Sequence, residues 1–173
     1  HWVDSFDLDT LISEINILIK TNAKSTNDTL KYINEPLRLE FITALMLQKQ
    51  FKNVLVKPNY SFDDEGVPTS FAQGGTPDIE CLDENGDVLF EVTLLTGVTQ
   101  NIREMPAICR HLQERKEKQK NSFSVMIAPY IHNDTLKYAQ FAKFKDDLDI
   151  VTIDIPTFSQ TIKEKENIFE YRS

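Results

Sequence analysis

The chemistry this sequence can support rests on carboxylates. Asp78, Glu80 and Glu91 lie on two apolar-patterned segments either side of Asn85-Gly86, a strong hairpin turn signal. A two-residue turn pairs Glu80 with Glu91 and Asp78 with Thr93. A four-residue turn sets Asp78 opposite Glu91 instead, and only a three-residue bulged turn scrambles the faces. In the first two cases Asp78, Glu80, Leu82, Leu89, Glu91 and Thr93 share one face, because strand side chains alternate. Ile79, Cys81, Val88, Phe90 and Val92 share the other, which is apolar and predicts a core-facing side. Like charges across neighbouring strands repel, and the nearest bases in sequence are Lys57 and Arg103. Such a cluster must protonate, repel or hold a cation. Carboxylate oxygens suit hard divalent ions, Mg²⁺ foremost, rather than zinc. The pattern therefore predicts a magnesium site; the competing reading is a solvated polar sheet face.

Glu40 adds to this set. Its helical neighbours Pro36, Leu37, Thr43 and Ala44 make an apolar surface, where a lone carboxylate is costly unless paired or metal-bound. Pairing with an arginine is the alternative.

The elements that must position these groups alternate between helix and strand. Leu8 to Lys20 carries an apolar stripe at helical spacing. Asn27 or Asp28 caps a short turn through Leu30 and Tyr32. Asn34-Glu35-Pro36 opens a helix to about Phe51, apolar nearly all round and therefore buried. Val54–Val56 reads as a strand ended by Pro58, and residues 59–76 as a long loop. Asp78–Leu82 and Val88–Leu94 are the hairpin strands. Thr99–Lys118 is helical, with Pro106 kinking it or marking its start. Phe123–Ala128 is a strand, Asp134–Lys145 a helix, Asp149–Ile155 a strand and Thr157–Phe169 a final helix. The pattern implies an α/β fold with a mixed sheet of about five strands flanked by helices. Its first part is antiparallel, and helical crossovers join the later strands.

Composition narrows the class. The chain has 173 residues, 40% hydrophobic and 27% charged, enough for one domain that buries roughly 70% of its unfolded surface without disulfides. Residues 1–34 read as an amino-terminal helical segment and 35–173 as the core of a single domain. No apolar run approaches a membrane span, and His1-Trp2-Val3-Asp4 does not resemble a signal peptide. Cys81 and Cys109 form no CxxC pair and read as reduced thiols of a cytoplasmic protein. Net charge is -8. Between Pro58 and Asn101 there are nine acids and no Lys or Arg, while Arg103 to Lys120 holds six bases against three acids. A chain so charged should bind a DNA duplex poorly alone, since nonspecific affinity comes from neutralising phosphates. His132-Asn133-Asp134 reads as a helix cap, and His111 as a surface residue.

Thr76-Pro77-Asp78 followed by Glu91-Val92-Thr93 resembles the PD-(D/E)xK nucleases. The longer run PDIECLDENGDVLFEVTLLTG, with RLEFITAL before it and NIREMPAICRHLQ after it, resembles the AlwI-like type IIS restriction enzymes. Among these it is most similar to small subunits of heterodimeric enzymes whose large subunit nicks alone. The resemblance spans about Glu35 to Gln160 and implies a PD-(D/E)xK restriction-endonuclease-like fold for the core. It implies that Asp78 and Glu91 hold metal, joined by Glu40 and the Val92 carbonyl, and that Glu104 is a further catalytic acid. The implied cofactor is Mg²⁺, as two ions, with Mn²⁺ able to substitute. Thr93 departs from the superfamily, where a lysine usually orients or activates water. A second metal ion, Lys57 or Glu104 would have to replace it.

The resemblance thus implies a bacterial cytoplasmic DNA endonuclease subunit that cuts one strand when a larger sequence-recognising nicking subunit positions it. Double-stranded DNA would bind weakly to this chain alone, and no membrane is involved. Arg103, Arg110 and Arg115 would touch the phosphate backbone, whereas Lys116, Lys118 and Lys120 read better as a solvated face. The rival expectation is a decayed nuclease fold serving as a metal-free scaffold, for which Thr93 is the main argument. Retention of four mutually repelling acids argues against it.

Overall fold

The computed structural model describes residues 2–20 and 24–172; part of the amino-terminal segment, residues 21–23, lies outside the described residues, as do His1 and Ser173. Two helices, α1 (Trp2–Ser5) and α2 (Leu8–Ile17), precede a single helical turn at Leu30–Tyr32. Asp7 caps α2 by accepting from Thr10 N, and Asn27 holds the turn by accepting from Thr29 N and Leu30 N. Helix α3 (Glu35–Gln50) starts at Asn34, whose side chain accepts from Leu37 N, with Pro36 in the first turn. It is buried from Leu37 to Leu47 and forms the spine of the larger core.

Strand β1 (Leu55–Pro58) follows. The next stretch is not the plain loop expected from the sequence: β2 (Ser61–Phe62) and β3 (Pro68–Ser70) form a small hairpin. Asp63 closes it, its Oδ1 accepting from Glu65 N and Val67 N, and Gly66 supplies the left-handed residue at φ 83°. The charged, glycine-containing turn hides strands too short to leave a period in the sequence. Trp2 donates from Nε1 to the Glu65 carbonyl at 2.6 Å, tying the hairpin to the start of α1.

The main sheet has the order β1-β4-β5-β6-β7, with β4 (Ile79–Leu82), β5 (Val88–Val92), β6 (Phe123–Ala128) and β7 (Ile150–Asp154). β1, β4 and β5 are antiparallel neighbours, and β6 and β7 run parallel to β5. Helices α4 (Val98–Lys118) and α5 (Asn133–Asp146) make the two crossovers, so the expected α/β architecture with a mixed five-stranded sheet is present. Pro106 lies inside α4, which already begins at Val98. His132 caps α5, its Nδ1 accepting from Asp134 N. The last element differs from expectation: α6 (Ile155–Thr161) breaks into two short turns, Ile162–Glu164 and Ile168–Tyr171. Asn167 starts the second turn as a capping box with Glu170, a local bond network that outcompetes one long helix.

The hairpin of β4 and β5 takes the four-residue option. Ile79 pairs with Phe90 and Cys81 with Val88, a shift of two residues from the two-residue register. Asp83 accepts from Asn85 N with Oδ1 and from Gly86 N with its carbonyl. Asp87 is held by Ser122 Oγ and Arg115. The predicted faces survive. Ile79, Cys81, Val88, Phe90 and Val92 join the core under α3, while Leu89 on the opposite face packs with Met105, Ile108 and Leu112 of α4. Both cysteines are free thiols. Among the described residues no helix is long and apolar enough to cross a membrane.

Candidate active site

The carboxylate-bearing face is not open to solvent, because α4 lies over it. One stripe of that helix reads Glu104, Ile108, His111, Leu112 and Arg115, the spacing that keeps residues on one side. Ile108 and Leu112 pack into the core, and the three polar members each reach a strand group. Thr93 Oγ1 donates to Glu104 Oε1 at 3.4 Å. His111 Nδ1 lies 2.7 Å from Glu91 Oε2. Arg115 bonds both Glu80 Oε1 and Asp87 Oδ2.

The sheet end itself is laced together. Val92 N donates to Asp78 Oδ2 at 2.8 Å, and Asp78 N donates to Glu91 Oε1 at 3.3 Å. Asp78 and Glu91 thus face each other across the strand pair, as the four-residue register requires. Glu40, 3% exposed, projects from α3, and its Oε1 has no hydrogen-bond partner. Glu40, Asp78, Val92 and Glu104 line one cavity of about 340 Å³, with Pro36, Phe71, Thr93, Leu94 and Leu95 completing the wall. Glu91, 5% exposed, is not part of that wall and is tied to it through the bond from Asp78 N.

Electrostatics follow from this crowding. Burial, reinforced by the charge of Glu91, pushes Glu40 up to about 7. Burial, then the charges of Glu40 and Glu91, raise Asp78 well above the usual carboxylate range. Glu104 is raised by burial and by Glu91, with partial relief from the Thr93 hydroxyl. His111 is raised because its hydrogen bond to Glu91 favours the cation. These are the shifts expected of acids that share a low-dielectric space.

Four sequence expectations need correction. Glu80 does not join the cluster: burial works against its charge, but Asn59, Arg115 and Lys57 pair with it and hold it below the usual carboxylate range. Lys57, 3.5 Å from Glu80, is therefore engaged and does not stand in for the missing lysine. Arg115 is taken up by Glu80 and Asp87, so it is not a free phosphate contact. His111 is not a surface residue, since it is bonded to Glu91 and only 11% of its side chain is exposed. Its signal was in the sequence as two helical turns from Glu104, one face of one helix.

Among the described residues no three His, Cys, Asp or Glu side chains are already drawn together as a metal-holding group. Asp78 and Glu91 spend oxygens on Val92 N, Asp78 N and His111 instead. The donors are nevertheless all oxygen, only Glu91 among them has a basic partner within ion-pair distance among the described residues, and Glu40 offers a buried carboxylate oxygen with no hydrogen-bond partner. This chemistry fits a hard divalent cation.

A mixed five-stranded sheet flanked by helices, here with acids where β4 begins and β5 ends, is a fold shared with restriction endonucleases. The small subunit of the heterodimeric restriction endonuclease R.BspD6I superposes with a TM-score of 0.74 at 24% identity, over 90% of this chain and 77% of that one. Restriction endonuclease FokI superposes with a TM-score of 0.55 at 10% identity, over 96% of this chain and 32% of FokI. In sequence, the AlwI restriction endonuclease family matches residues 4–161; the chain belongs to that family. No curated protein matches it in sequence.

Proposed function

We propose that this chain is a Mg²⁺-dependent endonuclease subunit. It hydrolyses one strand of duplex DNA when a larger, sequence-recognising nicking subunit positions it, as in a type IIS restriction enzyme. The observation that carries the reading is the cavity shared by Glu40, Asp78 and Glu104, with Glu91 tied to it through Asp78 N. Buried acids of like charge are costly, and a protein without use for a cation gains nothing by keeping them.

Asp78, Glu91, Glu40 and the Val92 carbonyl would hold the metal. Once bound, the divalent ions would activate water and offset charge growing on phosphorus and on the departing 3′ oxygen. Glu104 is suited to take the proton from the attacking water. Burial raises its affinity for a proton, and the Thr93 hydroxyl fixes its orientation. Thr93 brings no positive charge, which favours the two-ion route over a lysine-assisted one. His111 holds the Glu91 carboxylate in place.

The net charge of -8 supports weak duplex binding by this chain alone. A second subunit is supported by the likeness to the small subunit of a heterodimeric enzyme. A single active site cuts one strand at a time, so a double-strand break needs the partner's site as well.

The test is to incubate an end-labelled duplex with this chain, with the larger subunit, and with both, in Mg²⁺ and in EDTA. Cutting of one defined strand is expected only with both subunits and metal, and it should vanish in Asp78→Ala and Glu91→Ala. Undiminished cutting by those variants would remove the assignment. A metal-free scaffold role is favoured by Thr93 alone; calorimetry showing no carboxylate-dependent binding of Mg²⁺ or Mn²⁺ would support it instead.

A further inference from the structure

A second concavity opens at the amino-terminal end of α3, a groove of about 780 Å³ whose wall includes Lys24, Lys31, Tyr32, Asn34, Glu35 and Arg38. Arg38 is 4% exposed, yet its Nε and Nη1 have no hydrogen-bond partner, and among the described residues no carboxylate pairs with it. A buried guanidinium normally has a carboxylate or phosphate in its fork. The acids paired with groove residues, and the one in its wall, do not supply one. Asp28 is paired with Lys31 at 3.1 Å, and Glu14 accepts from Ser25. Glu35 is half-buried in the groove wall and makes no ion pair with Arg38. The positive end of the α3 dipole opens into the same space.

We propose that Arg38 receives a phosphodiester group of the DNA backbone in this groove, assisted by Lys24. The inference rests on the nuclease reading and extends it to a second contact on the strand. Pro36 lies in the walls of both this groove and the acidic cavity, so one continuous strand can occupy the two. A singly charged diester suits the groove better than free phosphate, because Glu35 repels a dianion more strongly than a monoanion. The planar fork of arginine matches two phosphate oxygens, a geometry lysine cannot copy.

The experiment measures binding of a short labelled duplex to the full chain at low salt, with Ca²⁺ in place of Mg²⁺, against a range of salt concentrations. Arg38→Met should weaken binding about tenfold and reduce the slope of log affinity against log salt by about one. Its metal-free melting temperature should not fall, since an uncompensated buried charge is removed. Wild-type affinity and slope in Arg38→Met would overturn the proposal. If that variant does not fold, Lys24→Gln decides: a weaker, less salt-dependent complex supports the proposal, and an unchanged one overturns it. Inorganic phosphate forms a separate arm. Arg38-dependent stabilisation by phosphate without any Arg38 effect on duplex binding would overturn the DNA assignment in favour of a free anion. Asp78→Asn runs in parallel on cleavage with both subunits. Lost cleavage there with normal duplex binding by Arg38→Met sinks only the groove inference, whereas retained cleavage there sinks the nuclease reading itself.

Discussion

His111 and Glu91 form a partly buried pair, Nδ1 to Oε2 at 2.7 Å, that joins helix α4 to strand β5. The other Glu91 oxygen accepts from Asp78 N, so this carboxylate is fixed at both ends. For Glu91 as the proposed metal ligand, His111 is the kind of hydrogen-bond partner that orients and tunes such ligands. His111→Ala should reduce cleavage by about 10- to 100-fold and raise the Mg²⁺ concentration needed for half-maximal rate. His111→Gln, which can still donate, should recover part of the loss. An unchanged metal requirement in His111→Ala, read from rates across a Mg²⁺ titration, would contradict this role.

Glu40 offers a test of stability against function. Its Oε1 is unpartnered and its charge is opposed by burial and Glu91. Glu40→Gln keeps the shape and removes the charge, and should stabilise the metal-free protein by about 1–3 kcal/mol. The same change should abolish the cation-dependent rise in melting temperature. Thermal melts in EDTA and in Mg²⁺ read both outcomes.

Stability should depend on pH with a definite sign. The folded-state pKa of Glu40 is raised from 4.5 to about 7, so this group penalises the fold increasingly as pH climbs through that interval. His111 is raised above 6.5, so its contribution is complete below that value and fades as pH rises through the folded-state pKa. Glu80 is lowered below 4.5; its contribution is present above that value and is lost as pH falls through its folded-state pKa. Metal-free protein should therefore be most stable at about pH 5–6 and weaker at about pH 8, with up to about 3 kcal/mol of the difference from Glu40. Added Mg²⁺ at the higher pH should shrink the gap. A melting temperature that rises steadily toward pH 8 in EDTA would refute this.

Arg115 bridges Glu80 on β4 and Asp87 at the end of the turn before β5. Arg115→Met leaves both without their main cation, and Glu80 is 8% exposed. A loss of about 3–5 kcal/mol is expected, measured by denaturant unfolding. Restoring neutrality with Glu80→Gln in the same chain should recover part of it.

The sequence made the hairpin faces legible because alternation survives any even shift of the turn. The register itself was not legible. Local residues allow either turn, and the choice falls to Ser122 and Arg115, which hold Asp87 from far along the chain. Gly86, at φ 148°, is required for a related reason: a Cβ there would run into the Asn121 carbonyl. Glu40, Asp78 and Glu104 could be read as a group through spacing and family resemblance. Alternation alone places Glu80 with Asp78 and Glu91, but its partner Arg115 sits on the crossover helix and takes it out of that cluster, and one strand's alternation carries no record of what packs above it. The short β2–β3 hairpin was hidden for another reason, since two or three residues cannot show a period.

Helix α4 reads the sheet like the teeth of a gear, with Glu104 against Thr93, His111 against Glu91 and Arg115 against Asp87. Each added or deleted residue in a helix swings everything beyond it by about 100°. A one-residue insertion between Glu104 and His111 would disengage His111 and Arg115 together, whereas single substitutions on the outer side leave the mesh intact. Length, more than composition, therefore decides whether that stretch of chain meets its partners.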